Sequence, residues 1–357
     1  MLFIATALIT ACSSETNNSY AECEAGYEYL DNSISIAFGD GGPVVDNPYE
    51  NDVAIMLSGE NVIVQFVQNI SSGAEYNLLV SGTTENGSLK IYGNHAMGLY
   101  LNGVNITNPS GPAINIQNRS RVLVHLVRGT ENYLADSTPY EVTSSEDAKG
   151  TFFSKGPVHF SGCGSLAITA RHAHAIAVDN DWLIEGGNIT VKTTKTKSHG
   201  ISSNASTTIS GNSNIKIEAS GNGSKGIKSD GPVSIQGGTI DIKTSGITHI
   251  DYSANPPDTS SATGIKTDSD MAISGGVLTV KASGTGAKGI NVNLDLMIIG
   301  GETKVEANDD GVKVNGNLHI SDGSLCAWSL NKQDIDSRGA EAVKSGSVNG
   351  RKCVVGF

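Results

Sequence analysis

Short runs of strictly alternating apolar and polar residues fill most of this chain, and they recur on a beat. Val233-Ser234-Ile235, Thr239-Ile240-Asp241-Ile242-Lys243-Thr244 and Val277-Leu278-Thr279-Val280-Lys281-Ala282 each send one set of side chains inward and the other outward, as half-buried strands do. Gly-Gly or Ser-Gly closes many of these runs and allows corner angles that other residues resist. One phrase returns six times: Ala175-Ile176-Ala177-Val178-Asp179, Gly200-Ile201-Ser202-Ser203-Asn204, Gly226-Ile227-Lys228-Ser229-Asp230, Gly264-Ile265-Lys266-Thr267-Asp268, Gly289-Ile290-Asn291-Val292-Asn293 and Gly311-Val312-Lys313-Val314-Asn315. The starts lie 25, 26, 38, 25 and 22 residues apart. Three short strands and three tight corners use up about 22–26 residues, which is one coil of a stacked solenoid. A leucine-rich repeat of similar period needs a leucine ladder and a helical arm, and no segment holds helical periodicity beyond a turn or two. An antiparallel sandwich would not repeat one phrase in register. The pattern predicts an all-β chain wound as a parallel β-helix.

Composition agrees. With 43 glycines and only 5% aromatic residues in 357, the chain suits thin coils with many corners better than one globular core. A formal net charge of −12 argues against nucleic acid as a partner, because phosphate affinity needs a basic face. Residues 1–11 are almost wholly apolar and lead into Ile9-Thr10-Ala11-Cys12, followed by Ser13-Ser14-Glu15. This resembles a bacterial lipoprotein signal, with Cys12 as the acylated residue, although the basic leader of a signal peptide is lacking. A short buried apolar strand is the competing reading. No other stretch reaches transmembrane length, so membrane attachment is expected through lipid alone, at the outer or surface side of a bacterial cell envelope. The spacings of Cys23, Cys163, Cys326 and Cys353 match no zinc pattern. Export permits a disulfide, with Cys326 and Cys353 as the pair near the C-terminal end; buried free thiols are the alternative.

The expected organisation is a signal over 1–12, a polar tether and entry segment over 13–45, irregular coils over 46–150, regular coils over 151–330 and a cap over 331–357. Residues 131–149 read as a loop leaving the stack. The 38-residue interval holds an insertion from Gly246 to Thr263 with His249, Asp251, Tyr252 and Asp258, which is either functional or a tolerated surface excursion. Trp182 and Trp328 fall on positions that alternation turns inward, so both are expected in the core.

Leu99-Tyr100-Leu101-Asn102-Gly103-Val104-Asn105-Ile106-Thr107-Asn108, Gly111-Pro112-Ala113-Ile114-Asn115-Ile116, Glu146-Asp147-Ala148-Lys149-Gly150-Thr151-Phe152-Phe153-Ser154 and Gly162-Cys163-Gly164-Ser165-Leu166 occur in that order. Together they make the chain, from about residue 50 to 330, similar to the bacterial carbohydrate-binding-domain β-helix proteins, whose coils are like those of pectate-type polysaccharide lyases. That resemblance implies a right-handed β-helix, bound calcium, and affinity for plant-type polysaccharides such as cellulose or polygalacturonate.

If Ile227 faces the core, then Lys228 and Asp230 face out, and stacking builds straight rows. One row is Ala177, Ser202, Lys228, Lys266, Asn291 and Lys313. Beside it stands Asp179, Asn204, Asp230, Asp268, Asn293 and Asn315; a third row holds Asp181, Ser206, Pro232, Asp270, Asp295 and Asn317. Carboxylates one coil apart, at about 4.8 Å, repel by roughly 3.5 kcal/mol at an effective dielectric near 20, so a cation is called for. Calcium accepts six to eight oxygen ligands. Asp230, Asp268, Asp270, Asn293 and Asp295 are the candidate ligands at one corner, and Asp179 with Asp181, beside His172 and His174, at another. Asp309-Asp310 is a weaker third. Neighbouring lysines, an amide ladder or solvated turn carboxylates are the competing readings.

Lys228, Lys266, Lys313 and Tyr252 are the candidate sugar contacts. The function these residues suggest is a monomeric, non-catalytic, calcium-dependent surface lipoprotein that binds neutral or acidic polysaccharide. The alternatives are a calcium-dependent lyase, with Lys228, Lys266, Lys288 or Arg338 as base, and a structural adhesin stalk.

Overall fold

The computed structural model describes residues 33–67, 76–137, 140, 146–342, 344–348 and 351–355. Cys12, Cys23 and the tether up to residue 32 lie outside the described residues. Every regular element is a strand. The chain winds as a β-solenoid in which each coil lays one strand on each of three faces, and successive coils pair in parallel.

The phrases form one face, here the phrase sheet. Its core register runs Ile176, Ile201, Ile227, Ile265, Ile290 and Val312, each opposite the next. The second face stacks Trp182–Ile184, Thr207–Ile209, Val233–Ile235 and Met271–Ile273. The third stacks Asn188–Thr193, Asn214–Ala219, Thr239–Thr244 and Val277–Ala282. Apolar residues of all three faces fill one continuous core.

Glycine opens five of the six phrases for a steric reason. A Cβ at Gly226 would stand 2.3 Å from Ile242 Cγ2 of the third face, and at Gly264 2.2 Å from Val280 Cγ1. Here the backbone itself is packed against the core. The second glycine of each Gly-Gly serves another purpose. Gly238 and Gly276 turn the corner with φ near 80°, where L side chains are strained. Inward hydroxyls finish the opposite corner. Ser229 Oγ donates to Ala205 O at 2.8 Å, which also accepts from Gly231 N, and Thr267 Oγ1 donates to Gly231 O at 2.9 Å.

Two expectations need correction, and one boundary moves. The stack reaches into the segment expected as an entry: Ile34–Phe38 already pairs in parallel with Tyr76–Thr84, and an antiparallel hairpin, Val53–Ser58 with Asn61–Phe66, starts the phrase sheet. Residues 131–136 do not leave the stack. They form a third-face strand in register with Ser165–Ala170, and the excursion starts only after Asp136. Trp182 is buried as expected, but Trp328 is 38% exposed, because it continues an outward row from Glu306. At the C-terminal end the chain reverses into an antiparallel hairpin that pairs Cys326 with Cys353, and these two form a disulfide.

Candidate functional site

The outward rows of the phrase sheet form as the alternation predicts. Ala177, Ser202, Lys228, Lys266, Asn291 and Lys313 are successive register partners, and the row continues to Asp336 at one end and to Phe153, Asn115 and Lys90 at the other. The sequence places Lys228, Lys266 and Lys313 together, and the fold keeps them so. Tyr252 stands elsewhere, 77% exposed on the inserted hairpin.

The carboxylates beside that row are engaged. Lys228 pairs with Asp230; Lys266 with Asp268 at 2.7 Å; Lys313 with Asp336 at 3.6 Å; Lys149 with Asp179 at 2.7 Å. The third row is a ladder of side chains accepting backbone N–H groups from the next coil. Asp181 Oδ1 accepts from Ser206 N at 3.0 Å, Asp270 Oδ1 from Asp295 N at 2.9 Å, and Asp295 Oδ1 from Asn317 N at 2.7 Å. Amides do the same laterally: Asn315 Nδ2 donates to Asn293 Oδ1, and Asn204 Nδ2 to Asp179 Oδ1, both at 2.9 Å. Lysines and N–H donors therefore supply the compensation that like charges need. Among the described residues no three His, Cys, Asp or Glu side chains are grouped to hold a metal ion. As placed, this donor set does not make a calcium cage.

The N-terminal part of the same sheet is covered. Glu146, from the segment returning to the stack, accepts from Lys90 Nζ at 3.0 Å, from Asn115 Nδ2 at 3.4 Å and from the Tyr92 hydroxyl. Burial alone would raise the Glu146 carboxyl, but the Tyr92 and Lys90 contacts outweigh it and hold the group below its ordinary range. Lys155 pairs with Asp147 at 3.2 Å. A polar groove of about 410 Å³ remains beside this clamp, lined by Asn61, Asn86, Ser88, Lys90, Asn115 and Glu146.

At the corner where the third face turns into the phrase sheet, a row of polar side chains precedes the phrases. His174 and His199 stack with ring centroids 4.6 Å apart. Each uses Nδ1 to accept a backbone N–H, from His199 at 2.9 Å and from Lys225 at 3.1 Å. Burial, then the charges of Lys228 and Lys149, pushes His174 down to about 4; burial, then His174 and nearby lysines, lowers His199 well below its usual value. Both rings are neutral at pH 7. Lys225 follows, its value lowered to about 8 by burial and then by Lys228, Lys266 and Lys197. Two coils further, Lys288 has two aspartates: Asp310 at 2.6 Å and Asp309 at 3.1 Å, whose pull outweighs burial and raises its value.

Reading the phrases missed His199, Lys225 and Glu146. The first two sit immediately before the phrases, in the position that reads His174, His199, Lys225, Thr263, Lys288 and Asp310, so extending each phrase by one residue would have exposed that row. Glu146 carried no such signal, because it reaches its partners through an excursion. Of the four amine and guanidinium candidates for a lyase base, Lys228, Lys266 and Lys288 are ion-paired.

Both excursions, after Asp136 and after Thr244, leave from this same corner. The second contains a hairpin, His249–Asp251 with Asp258–Ser260, which folds back over two coils. Lys197, the one non-glycine residue with positive φ (58°) among those described, clasps it through Asp258 at 3.2 Å and Asp251 at 3.6 Å.

Comparison with known proteins agrees with this architecture. A carbohydrate-binding domain-containing protein of Acetivibrio thermocellus is 38% identical over 96 residues, 26% of this chain and 34% of that protein, so the match spans about a third of the relative's length. A polysaccharide lyase-like protein from C. thermocellum, solved as a gadolinium derivative, superposes with a TM-score of 0.50 at 22% identity, over 87% of this chain and 96% of its own, and so shares the fold. The family model for carbohydrate-binding domain-containing proteins matches residues 65–246, from the first phrase-sheet strands to the root of the inserted hairpin, and with just over half of its length matched the chain belongs to that family.

Proposed function

We propose that this protein binds polysaccharide without cleaving it, along the outward rows of the phrase sheet. The observation that supports this is the unbroken register of Ser202, Lys228, Lys266, Asn291, Lys313 and Asp336. Coils about 4.8 Å apart present a partly exposed ammonium, amide or carboxylate at each step from Lys228 to Asp336. A chain of sugars carries hydroxyls at a comparable repeat, and alternating donors and acceptors match hydroxyl groups that both give and take hydrogen bonds. Ion pairing within the row leaves it close to neutral, which permits neutral as well as acidic glycans. No binding step is assigned to calcium. The reading includes display on the cell envelope through an acylated Cys12, supported by the apolar segment before it.

Affinity electrophoresis in gels cast with cellulose derivatives, xylan, polygalacturonate or dextran sulfate tests the core of this reading. Wild type is expected to be retarded by at least one glycan, and Lys228→Ala/Lys266→Ala to be retarded less. Migration unchanged on every glycan would overturn it. The same gels run with a chelator test for calcium, and ultraviolet absorbance of unsaturated product tests for elimination. Loss of palmitate incorporation in Cys12→Ser cells tests the anchor.

A further inference from the structure

Lys225 and Lys288 occupy one register position in the solenoid, with Thr263 between them. Both are partly buried lysines at the same corner, yet the fold treats them oppositely. At Lys288 it supplies two carboxylates, Asp309 and Asp310. At Lys225 the ammonium donates to Gly223 O at 2.8 Å and to Ser260 Oγ of the inserted hairpin, both neutral acceptors. Among the described residues no carboxylate lies within ion-pair distance of Lys225. The charges that act on it most are Lys228, Lys266 and Lys197, all positive, and they outweigh the more distant Asp258.

A partly buried cation without a counter-ion is costly, and most such groups are paired. An ammonium has three protons to donate, and two are committed here. The surroundings are also built. The hairpin packs onto Gly223, where a Cβ would stand 3.0 Å from His249 Cβ, and is held by Gly223 N donating to Ile247 O at 2.8 Å and by the Lys197 clasp. Lys197 is in a left-handed conformation rare outside glycine, so the clasp is retained at a backbone cost. Below lie His199 and His174, neutral rings that bring no competing charge.

We propose that the corner under the inserted hairpin is an anion subsite, in which Lys225, flanked by Lys228 and Lys266, takes the carboxylate or sulfate of an acidic sugar unit in the bound polysaccharide. The inference rests on the glycan-binding reading of the phrase sheet and deepens it. It makes the protein selective for acidic over neutral polymers, although its net charge is −12. The long-range field opposes such a ligand and the local corner attracts it.

Two variants separate charge from packing: Lys225→Gln keeps a donor for Ser260, and Lys225→Met keeps only the stem. Affinities for polygalacturonate, dextran sulfate and neutral xylan are compared by titration. Each variant is expected to lose about tenfold or more on the acidic polymers, the size of a charge-assisted hydrogen bond, with xylan binding and thermal midpoint unchanged or raised. Equal losses on acidic and neutral glycans, or none, would refute the subsite; the relative losses on polygalacturonate and dextran sulfate identify which anion it prefers. A second measurement does not depend on polymer binding. In reductively ¹³C-methylated protein the Lys225 signal is titrated against pH with and without the galacturonate monosaccharide. The midpoint is expected to rise with the sugar acid and to stay put with galactose. A midpoint that galacturonate leaves unmoved sinks the proposal even if polymers bind, whereas polymers that fail to bind while the midpoint moves refute the phrase-sheet reading and keep the subsite.

Discussion

The coils before Ile184 and those after it solve the same problem with different materials. Early coils fill the core with large rings, Phe66, Tyr76, Phe152, Phe160 and Trp182, each essentially buried. Later coils fill the centre with aliphatic residues such as Ile227, Ile242, Ile265 and Val280, and many corners with Thr, Ser and Ala. Rings of different sizes force coils of different outline, whereas a column of β-branched residues lets every coil superpose on the last. The outer surface follows suit. In the early half Glu146 and Lys149 reach across the phrase sheet; in the later half the row from Lys228 to Asp336 is partly exposed, with Ser202 buried before it. Regular packing underneath is what gives a regular row above, and that is the half where an extended polymer can lie.

The sharpest way to break this contrast is to remove a ring. Trp182→Ala should cost about 3–5 kcal/mol, since it removes the largest fully buried side chain, and Ile242→Ala in the later half about 2–5 kcal/mol. Denaturant midpoints measure both; a loss below about 1 kcal/mol at Trp182 would show that the early core is plastic. Next in size is Gly264→Val. Its new Cβ, 2.2 Å from Val280 Cγ1, overpacks a coil with no slack, at about 1–3 kcal/mol or more.

Acid should loosen the His174–His199 corner before the Glu146 clamp. His174 binds its proton only near pH 4 when folded but near its ordinary value of about 6.5 when unfolded, so the unfolded chain is favoured progressively as pH falls through that interval. The Glu146 clamp behaves differently: its carboxyl is held below the ordinary range, so its contribution persists above about pH 4.3 and fades as pH drops further. Hydrogen exchange followed by segment should therefore quicken around residues 174–199 before it quickens around residues 88–92. The smallest effect is expected from Glu146→Gln, which removes the charge but keeps an oxygen that can accept from Lys90 and an NH2 to which the Tyr92 hydroxyl can turn as acceptor. It should abolish the second acid step and leave the first untouched; persistence of both steps would reassign the lower one.

Much of this molecule can be read from alternation alone. Once Ile227 is placed inward, Lys228 and Asp230 must face out, and the recurrence of the phrase after the 38-residue interval stacks Lys228 against Lys266. That inference needs only the two-residue period of a strand and the return of the same phrase in each coil. Trp328 lies on the opposite face from the one expected: in Leu325-Cys326-Ala327-Trp328 it is Leu325 and Ala327 that point inward, which puts Trp328 on the outward row with Glu306. Glu146 escaped that inference because the excursion carrying it has no period.

The linear order of residues determined the solenoid, its three faces and the rows on its surface, since each follows from a repeat that any one coil states completely. Tertiary structure alone decided how each charge is answered: aspartates for Lys288, a hairpin serine for Lys225, lysines and backbone N–H groups for the carboxylates that the spacing alone offers to a metal. Apart from close pairs such as Lys266 with Asp268, those answers come from side chains on other coils or from excursions off the stack, and a Coulomb interaction depends on distance in space, which a periodic sequence specifies only where the period holds.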